Sequence, residues 1–267
     1  MKIYRIKPGS KVKLTEFDPE GQCDPAENKD LCLARLVHLK DAMLDLQRLL
    51  HAEHEKRLLI ILQGMDASGK DGTVRQVFSG LDPHGFRVAA FKAPTAEELD
   101  HDFLWRVHAR VPAKGEVVVF NRSHYEDIVA VKVKNLRPKE VWEKRFEHVV
   151  NFERLLVDEG TTVLKFFLHV SREEQRRRLQ GRLENPKKHW KFHPEDLRDR
   201  ERWPEFVEAY EETMSRTSWE GAPWHVIPAD NKWYRNVVVA EIVRDTLAKL
   251  EPAWPQPQHN VRGLVVK

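Results

Sequence analysis

The sequence predicts an α/β domain built on a five-stranded parallel sheet flanked by helices, and three observations carry that expectation. Five short runs are strand candidates, and the first, Leu58 to Leu62, lacks the in-and-out alternation of a half-exposed sheet, as a strand buried on both faces requires. Helical stretches separate them, the alternation that crossovers between parallel strands impose. The first run passes through a glycine-rich loop directly into a helical stretch.

The elements follow in chain order. Residues 1–30, rich in Lys, Asp, Pro and Gly, read as an extended arm with little regular structure, and residues 31–267 as one domain. From Leu31 to His51 the residues Leu33, Leu36, Met43, Leu46 and Leu50 keep threes and fours, with Lys40 at the missing step, which predicts an amphipathic helix. The strand candidates are Leu58–Leu62, Phe86–Phe91, Glu116–Phe120, Thr161–Val170 and Trp224–Ile227. Thr95 with Glu98, and Ser171 with Glu174, have capping-box spacing at two helix starts, and Gly160 stands where a helix from Pro138 to Asp158 should stop. Trp105 and Trp142 are assigned to the core.

The chain has 267 residues, 45 Lys and Arg against 42 Asp and Glu, and a net charge of +3, which excludes a histone-like coat for nucleic acid. With 41% hydrophobic residues it buries a real core, so disorder is excluded. Cys23 and Cys32 have neither disulfide-framework nor zinc-ligand spacing. No signal-peptide apolar region opens the chain, and no run of about 18 apolar residues occurs. A soluble protein of the cytoplasm, with no membrane and no nucleic-acid partner, is the expectation.

The strongest chemical signal is Gly64-Met65-Asp66-Ala67-Ser68-Gly69-Lys70-Asp71-Gly72, between the first strand and a helix. Glycines let the backbone curl so that amide hydrogens face an anion, and the helix N-terminus adds positive potential. Asp71 stands where a Ser or Thr hydroxyl should meet magnesium, and Asp66 adds a carboxylate inside the loop, read as a metal ligand or acceptor-orienting group. After the third strand comes Phe120-Asn121-Arg122-Ser123-His124-Tyr125-Glu126-Asp127. Ligands of doubly wound sheets sit at the carboxyl ends of strands, so Arg122 is placed to clamp a phosphate and Asp127, with Glu126 beside it, to hold magnesium. Residues 172–202 carry eleven basic against seven acidic residues, more net charge than the whole chain. There Arg178 and Arg182, four apart on one helix face, are read as phosphate ligands of a closing lid. Lys132 and Lys134 extend a cationic track or lie on the surface. The segment Ile227 to Asn236 opens onto the same edge, with Trp233 or Tyr234 available to a base.

Taken together, these motifs resemble the polyphosphate kinase 2 family from about residue 30 to 250, including the Asp in place of Ser or Thr. The resemblance implies a P-loop kinase-like sheet under a helical lid, and Mg2+-dependent (or Mn2+-dependent), reversible transfer of a terminal phosphoryl group from inorganic polyphosphate to ADP or GDP. In that reading Asp66 and Asp127 organise magnesium and the acceptor phosphate, with Glu126 as a further ligand. Lys70 and Arg122 stabilise the transferring group. Ala67, Ser68, Gly69, Asp71, Gly72, Arg178 and Arg182 hold phosphates. His124-Tyr125-Glu126-Asp127 resembles the subgroup that accepts AMP as well, and dimers or tetramers are implied. The alternatives are an ATP-dependent nucleoside monophosphate kinase, against which Asp66 and Asp71 speak, and a non-catalytic polyanion binder, which leaves the loop unexplained.

Overall fold

The computed structural model describes residues 4–21, 28–257 and 259. Its sheet is formed by β1 (Arg57–Gln63), β2 (Phe86–Ala90), β3 (Val117–Asn121), β4 (Thr161–His169) and β5 (Trp224–Pro228), in the order β2-β3-β1-β4-β5 with every pairing parallel. β1 is central because Leu58 to Gln63 are all buried, as a strand covered on both faces demands. β2, at one edge, is only half-buried, as a strand with a neighbour on one side alone allows.

One group of helices comprises α1 (Lys29–Glu53), α2 (Lys70–Val77) and α10 (Lys232–Lys249); α10 packs against both others. A second comprises α5 (Glu126–Val133), α6 (Lys139–Asp158) and α9 (Trp203–Thr217), packed on one another. Two short helices, α3 (Ala96–Asp100) and α4 (Trp105–His108), lie between β2 and β3. α7 (Arg172–Leu183), a 3-10 turn (Pro186–Lys191) and α8 (Glu195–Glu201) fill the segment read as the lid. Among the described residues no helix is long and apolar enough to cross a membrane.

Local signals act as their chemistry requires. Thr95 and Glu98 form a reciprocal capping box, whereas Ser171 caps α7 alone, because Glu174 turns to Arg177 and Arg178 instead. Gly160, at φ +88°, follows the last residue of α6 and its cap. The buried stripe of α1 runs through Cys32, Leu36, Leu39, Met43, Gln47 and Leu50; Leu33 faces out, and Lys40 reaches Ser79. Trp142 is buried as expected, but Trp105 is exposed and stacks on His101.

Candidate active site

Because all five strands run the same way, the loops after β1, β3, β4 and β5 meet at one edge of the sheet. The loop after β1 curls through left-handed conformations at Ala67 (φ +59°) and Gly69 (φ +106°) before α2 begins at Lys70. Gly64 is required by space, since a Cβ there would lie 2.7 Å from the Leu168 carbonyl. Ser68 is wholly buried beneath the loop, its hydroxyl without a partner among the described residues. The Lys70 ammonium folds back onto the carbonyls of Gly64 (2.6 Å) and Met65 (3.1 Å). Burial first, and Arg122 second, lower its pKa to about 8, against the opposing pull of Asp66 and Glu126.

The turn after β3 supplies the other half. Arg122 takes a left-handed φ of +64° and lays its guanidinium against Asp66, Nη2 to Oδ1 2.7 Å, with Glu126 at 3.5 Å from Nη1. In the amide orientation that satisfies its neighbours, Gln63 donates to Glu126 Oε1 at 2.9 Å. Burial raises the Asp66 pKa, but Arg122 and Lys70 outweigh it and hold the carboxyl below its ordinary value. Glu126, then, is the carboxylate beside Asp66 and Arg122.

Asp127 is turned elsewhere. One helical residue further on points about 100° away, and there Asp127 is bracketed by Arg106 (3.0 Å) and Arg145 (3.7 Å). Arg106 in turn holds the Lys92 carbonyl at 2.9 Å. Asp127 therefore braces α5 against the segment after β2 and does not line the cleft, contrary to the metal-ligand reading from sequence.

The cleft encloses about 800 Å³ and is lined by eleven basic side chains against four acidic ones. Asp66, Ala67, Gly69, Lys70, Asp71, Gly72, Arg122, Arg178 and Arg182 all reach it; Ser68, Glu126 and Asp127 do not. Glu126 faces a small adjoining pocket, of about 50 Å³, that shares Asp66 and Arg122 with the cleft. Asp71 accepts from Asn121 Nδ2 at 2.7 Å.

Arg178 lies in the wall but is fully engaged. Its Nε donates to Glu174 (2.7 Å), its Nη1 to the carbonyls of Ala67 and Ser68 (both 2.9 Å), and its Nη2 to those of Ala229 (2.6 Å) and Asp230 (3.0 Å). A guanidinium has five N–H groups, so in this arrangement none is left for a phosphate. Arg182 is paired with Asp196 at 3.1 Å. Lys132 pairs with Glu212, and Lys134 joins α5 to α8 through Asp199 (2.8 Å) and Glu195 (3.3 Å).

Several residues of the cleft were not singled out from sequence, among them Arg75, Lys92, Arg235 and Trp190. Arg235 on α10 is buried, donates to the Ser68 carbonyl at 3.2 Å, and stands 2.0 Å from where a Cβ on Gly69 would be. Burial, then the neighbouring Arg178, lowers its pKa. Trp190, at the rim, is 78% exposed, with its indole N–H held by the Lys187 carbonyl at 3.1 Å. Of the two rings offered to a base, Tyr234 is buried and meets Tyr4 instead (2.7 Å between hydroxyls), and Trp233 is half-buried against the core.

Among the described residues no three His, Cys, Asp or Glu side chains converge as a ready-made metal cage. Asp66 and Glu126 flanking Arg122 are hard oxygen donors of the number that magnesium uses when phosphate oxygens and waters complete its shell.

A model of the Polyphosphate kinase 2 (PPK2) family matches residues 26–254. The chain is 51% identical, over the whole of both chains, to the AMP/ADP-polyphosphate phosphotransferase of Meiothermus ruber. It is 39% identical to the ADP-polyphosphate phosphotransferase of Rhodopseudomonas palustris, over 96% of this chain and 92% of that one. The crystal structure of polyphosphate kinase 2 from Arthrobacter aurescens superposes with a TM-score of 0.93 at 40% identity, covering 97% of this chain and 93% of that chain. A glycine-rich loop carrying two carboxylates, an arginine turn after β3 and a match along nearly the full length converge on one assignment: the chain belongs to the polyphosphate kinase 2 family.

Proposed function

We propose that the protein transfers the terminal phosphoryl group of inorganic polyphosphate to a nucleoside diphosphate such as ADP or GDP, and also to AMP, and runs in reverse. The observation that carries this reading is the cleft, whose excess of cations surrounds a glycine-rich loop that itself holds the carboxylate of Asp66. Eleven cations against four carboxylates leave more positive charge than one nucleotide's phosphates need, even with Arg178 engaged by protein carbonyls, and suit a polyanion. Acceptance of AMP rests on the His124-Tyr125-Glu126-Asp127 run and on the name of the 51% identical relative.

Phosphoryl transfer needs little covalent help from the protein; positioning and charge stabilisation do most of the work. Lys70 and Arg122 neutralise charge spreading over the equatorial oxygens of the transferring group. On binding, Lys70 exchanges the Gly64 and Met65 carbonyls for phosphate oxygens, which is energetically accessible because its burial already disfavours the isolated cation. Asp66 and Glu126 hold the two sides of Arg122 and orient it. The same two carboxylates would hold Mg2+, or Mn2+ in its place, which when bound supplies further neutralisation of phosphate charge. At the rim, Trp190 offers a ring to the nucleobase. Trp190→Ala should raise the nucleotide KM about tenfold, with the polyphosphate KM unchanged, as loss of one base–aromatic stack implies.

The decisive assay supplies long-chain polyphosphate, magnesium and either AMP or ADP, without ATP, and separates the nucleotide products. ATP from ADP, and ADP followed by ATP from AMP, is the expected outcome, abolished by a chelator. Product only when ATP serves as donor to a monophosphate would replace this reading with an ordinary nucleotide kinase. Sizing of the same sample tests the further proposal that the chain self-associates as a dimer or tetramer.

A further inference from the structure

Residues 4–21 lie outside the segment that matches the family, yet they reach the active-site edge. The Ile6 N–H donates to the Trp224 carbonyl at 2.8 Å, covering the free edge of β5. Val12 and Leu14 are buried, and their N–H groups donate to Ser215 and Glu211 of α9. Beyond them, the Pro19 carbonyl accepts from the N–H groups of both Ala229 and Asp230 (3.0 Å each), and the Glu20 carbonyl accepts from Asn231 Nδ2 at 3.1 Å. Gly21 closes on the Tyr234 ring so tightly that a Cβ would lie 2.3 Å from it.

The residues pinned by the arm on one side are gripped on the other. The carbonyls of Ala229 and Asp230 receive Arg178 Nη2, and the Asp230 carboxylate caps the Ser171 N–H at 2.8 Å, where α7 begins. The other arm of the same guanidinium holds the carbonyls of Ala67 and Ser68. In a trans peptide the C=O of one residue and the N–H of the next point in opposite directions. Holding the Ser68 carbonyl toward Arg178 and Arg235 therefore turns the Gly69 N–H the other way.

We propose that the amino-terminal arm is a positioning element of the phosphate site, acting on the loop 64–69 through residues 229–231 and Arg178. Arg178 is accordingly a positioning residue rather than a phosphate ligand. The proposal rests on the polyphosphate reading for its turnover measurement alone; its binding measurement stands without it.

The test is a double-mutant cycle in the full-length chain, read by calorimetric affinity for tripolyphosphate and by turnover with polyphosphate. Gly21→Leu drives a side chain into Tyr234 and lifts residues 19–21 from 229–231; Arg178→Ala breaks the next link. Each should weaken tripolyphosphate binding about tenfold, the scale of one charge-assisted hydrogen bond. The double variant should be no weaker than the weaker single variant within twofold. Multiplying losses, or a Gly21→Leu affinity within twofold of the unaltered chain, overturns the proposal. Met43→Ala, in the core of α1, controls for stability: equal weakening at an equal fall in Tm also overturns it. Should Gly21→Leu not fold, Asn231→Ala removes only the side-chain bond to Glu20, and should cost about threefold in the same cycle with the same criteria. A chain that binds tripolyphosphate but transfers nothing would discard the proposed reaction and leave the relay standing; no binding by the unaltered chain discards both.

Discussion

Two ionic clusters hang from the one turn after β3, and they are built to opposite specifications. On the cleft side, Arg122 keeps 40% of its side chain exposed between Asp66 and Glu126, each 19% exposed. On the other side, Glu153 and Lys165 are wholly buried at 2.7 Å; the Tyr125 hydroxyl donates to Glu153 at 2.7 Å, and Trp219 donates to it at 3.1 Å. The Lys165 ammonium also donates to the Tyr125 hydroxyl (3.0 Å) and the Thr217 carbonyl (2.7 Å), so all three of its N–H groups are placed. The open cluster leaves a guanidinium facing the cleft; the closed one places every N–H of Lys165 and anchors the turn that carries Arg122. Exposure to the cleft and burial in the core are separated across one turn.

Substitutions should separate them in the same way. Asp66→Asn is expected to lower polyphosphate turnover by about 10³-fold, the scale of a lost positioning and charge-stabilising group, while Tm changes by a degree or two. Near-normal turnover would remove Asp66 from the mechanism and break the contrast. Lys165→Met should do the reverse, destabilising by about 3–5 kcal/mol because Glu153 is left as a buried unpaired charge, while the folded fraction retains its KM values. Adding Glu153→Met to that variant should restore much of the stability by denaturant unfolding; failure to do so would mean that the cluster contributes more than its ion pair.

A pH titration sharpens the cleft side further. With its pKa lowered to about 8, Lys70 in the free protein is protonated below that value and neutral above it, so tripolyphosphate affinity should fall as pH rises through about 8. The ligand gains negative charge over the same range and pulls the other way, so a fall identifies the lysine. Lys70→Arg should flatten the profile, and an unchanged profile would assign the transition elsewhere. The smallest effect is expected at Ala67, whose left-handed φ of +59° carries strain of about 1 kcal/mol that glycine would relieve. Ala67→Gly should therefore leave stability the same or slightly higher by thermal unfolding, part of the gain being offset by a more flexible unfolded chain.

Much of this architecture was legible in the residues, and the gaps have a common cause. Apolar runs placed all five strands to within a residue or two; burial on both faces leaves little other composition for β1, β3, β4 and β5, while the edge strand β2 keeps only part of it. The glycine-rich loop after β1 was legible because its tight curl and close approaches leave room for little but glycine at Gly64 and Gly69. Glu126 and Asp127 could not be told apart from sequence, since adjacent helical residues diverge and only the docking of α5 decides that Glu126 meets Arg122 while Asp127 meets Arg106 and Arg145. Arg178 was read as a ligand because its partners, at positions 67, 68, 229 and 230, are remote in sequence. The arm's grip on residues 229–231 was illegible for the same reason.

The central position of β1 also sets the order in which the molecule can be assembled during synthesis. Leu58 pairs with Val117 and Thr162, so an early strand waits for partners that leave the ribosome roughly 60 and 100 residues later. Long-range parallel pairing of this kind is intrinsically slow and leaves apolar backbone open in the interval. The anion site waits longer still, because its loop is held by Arg178 and then by Arg235. A nascent chain therefore completes the contacts that shape this loop only after most of its length has been made.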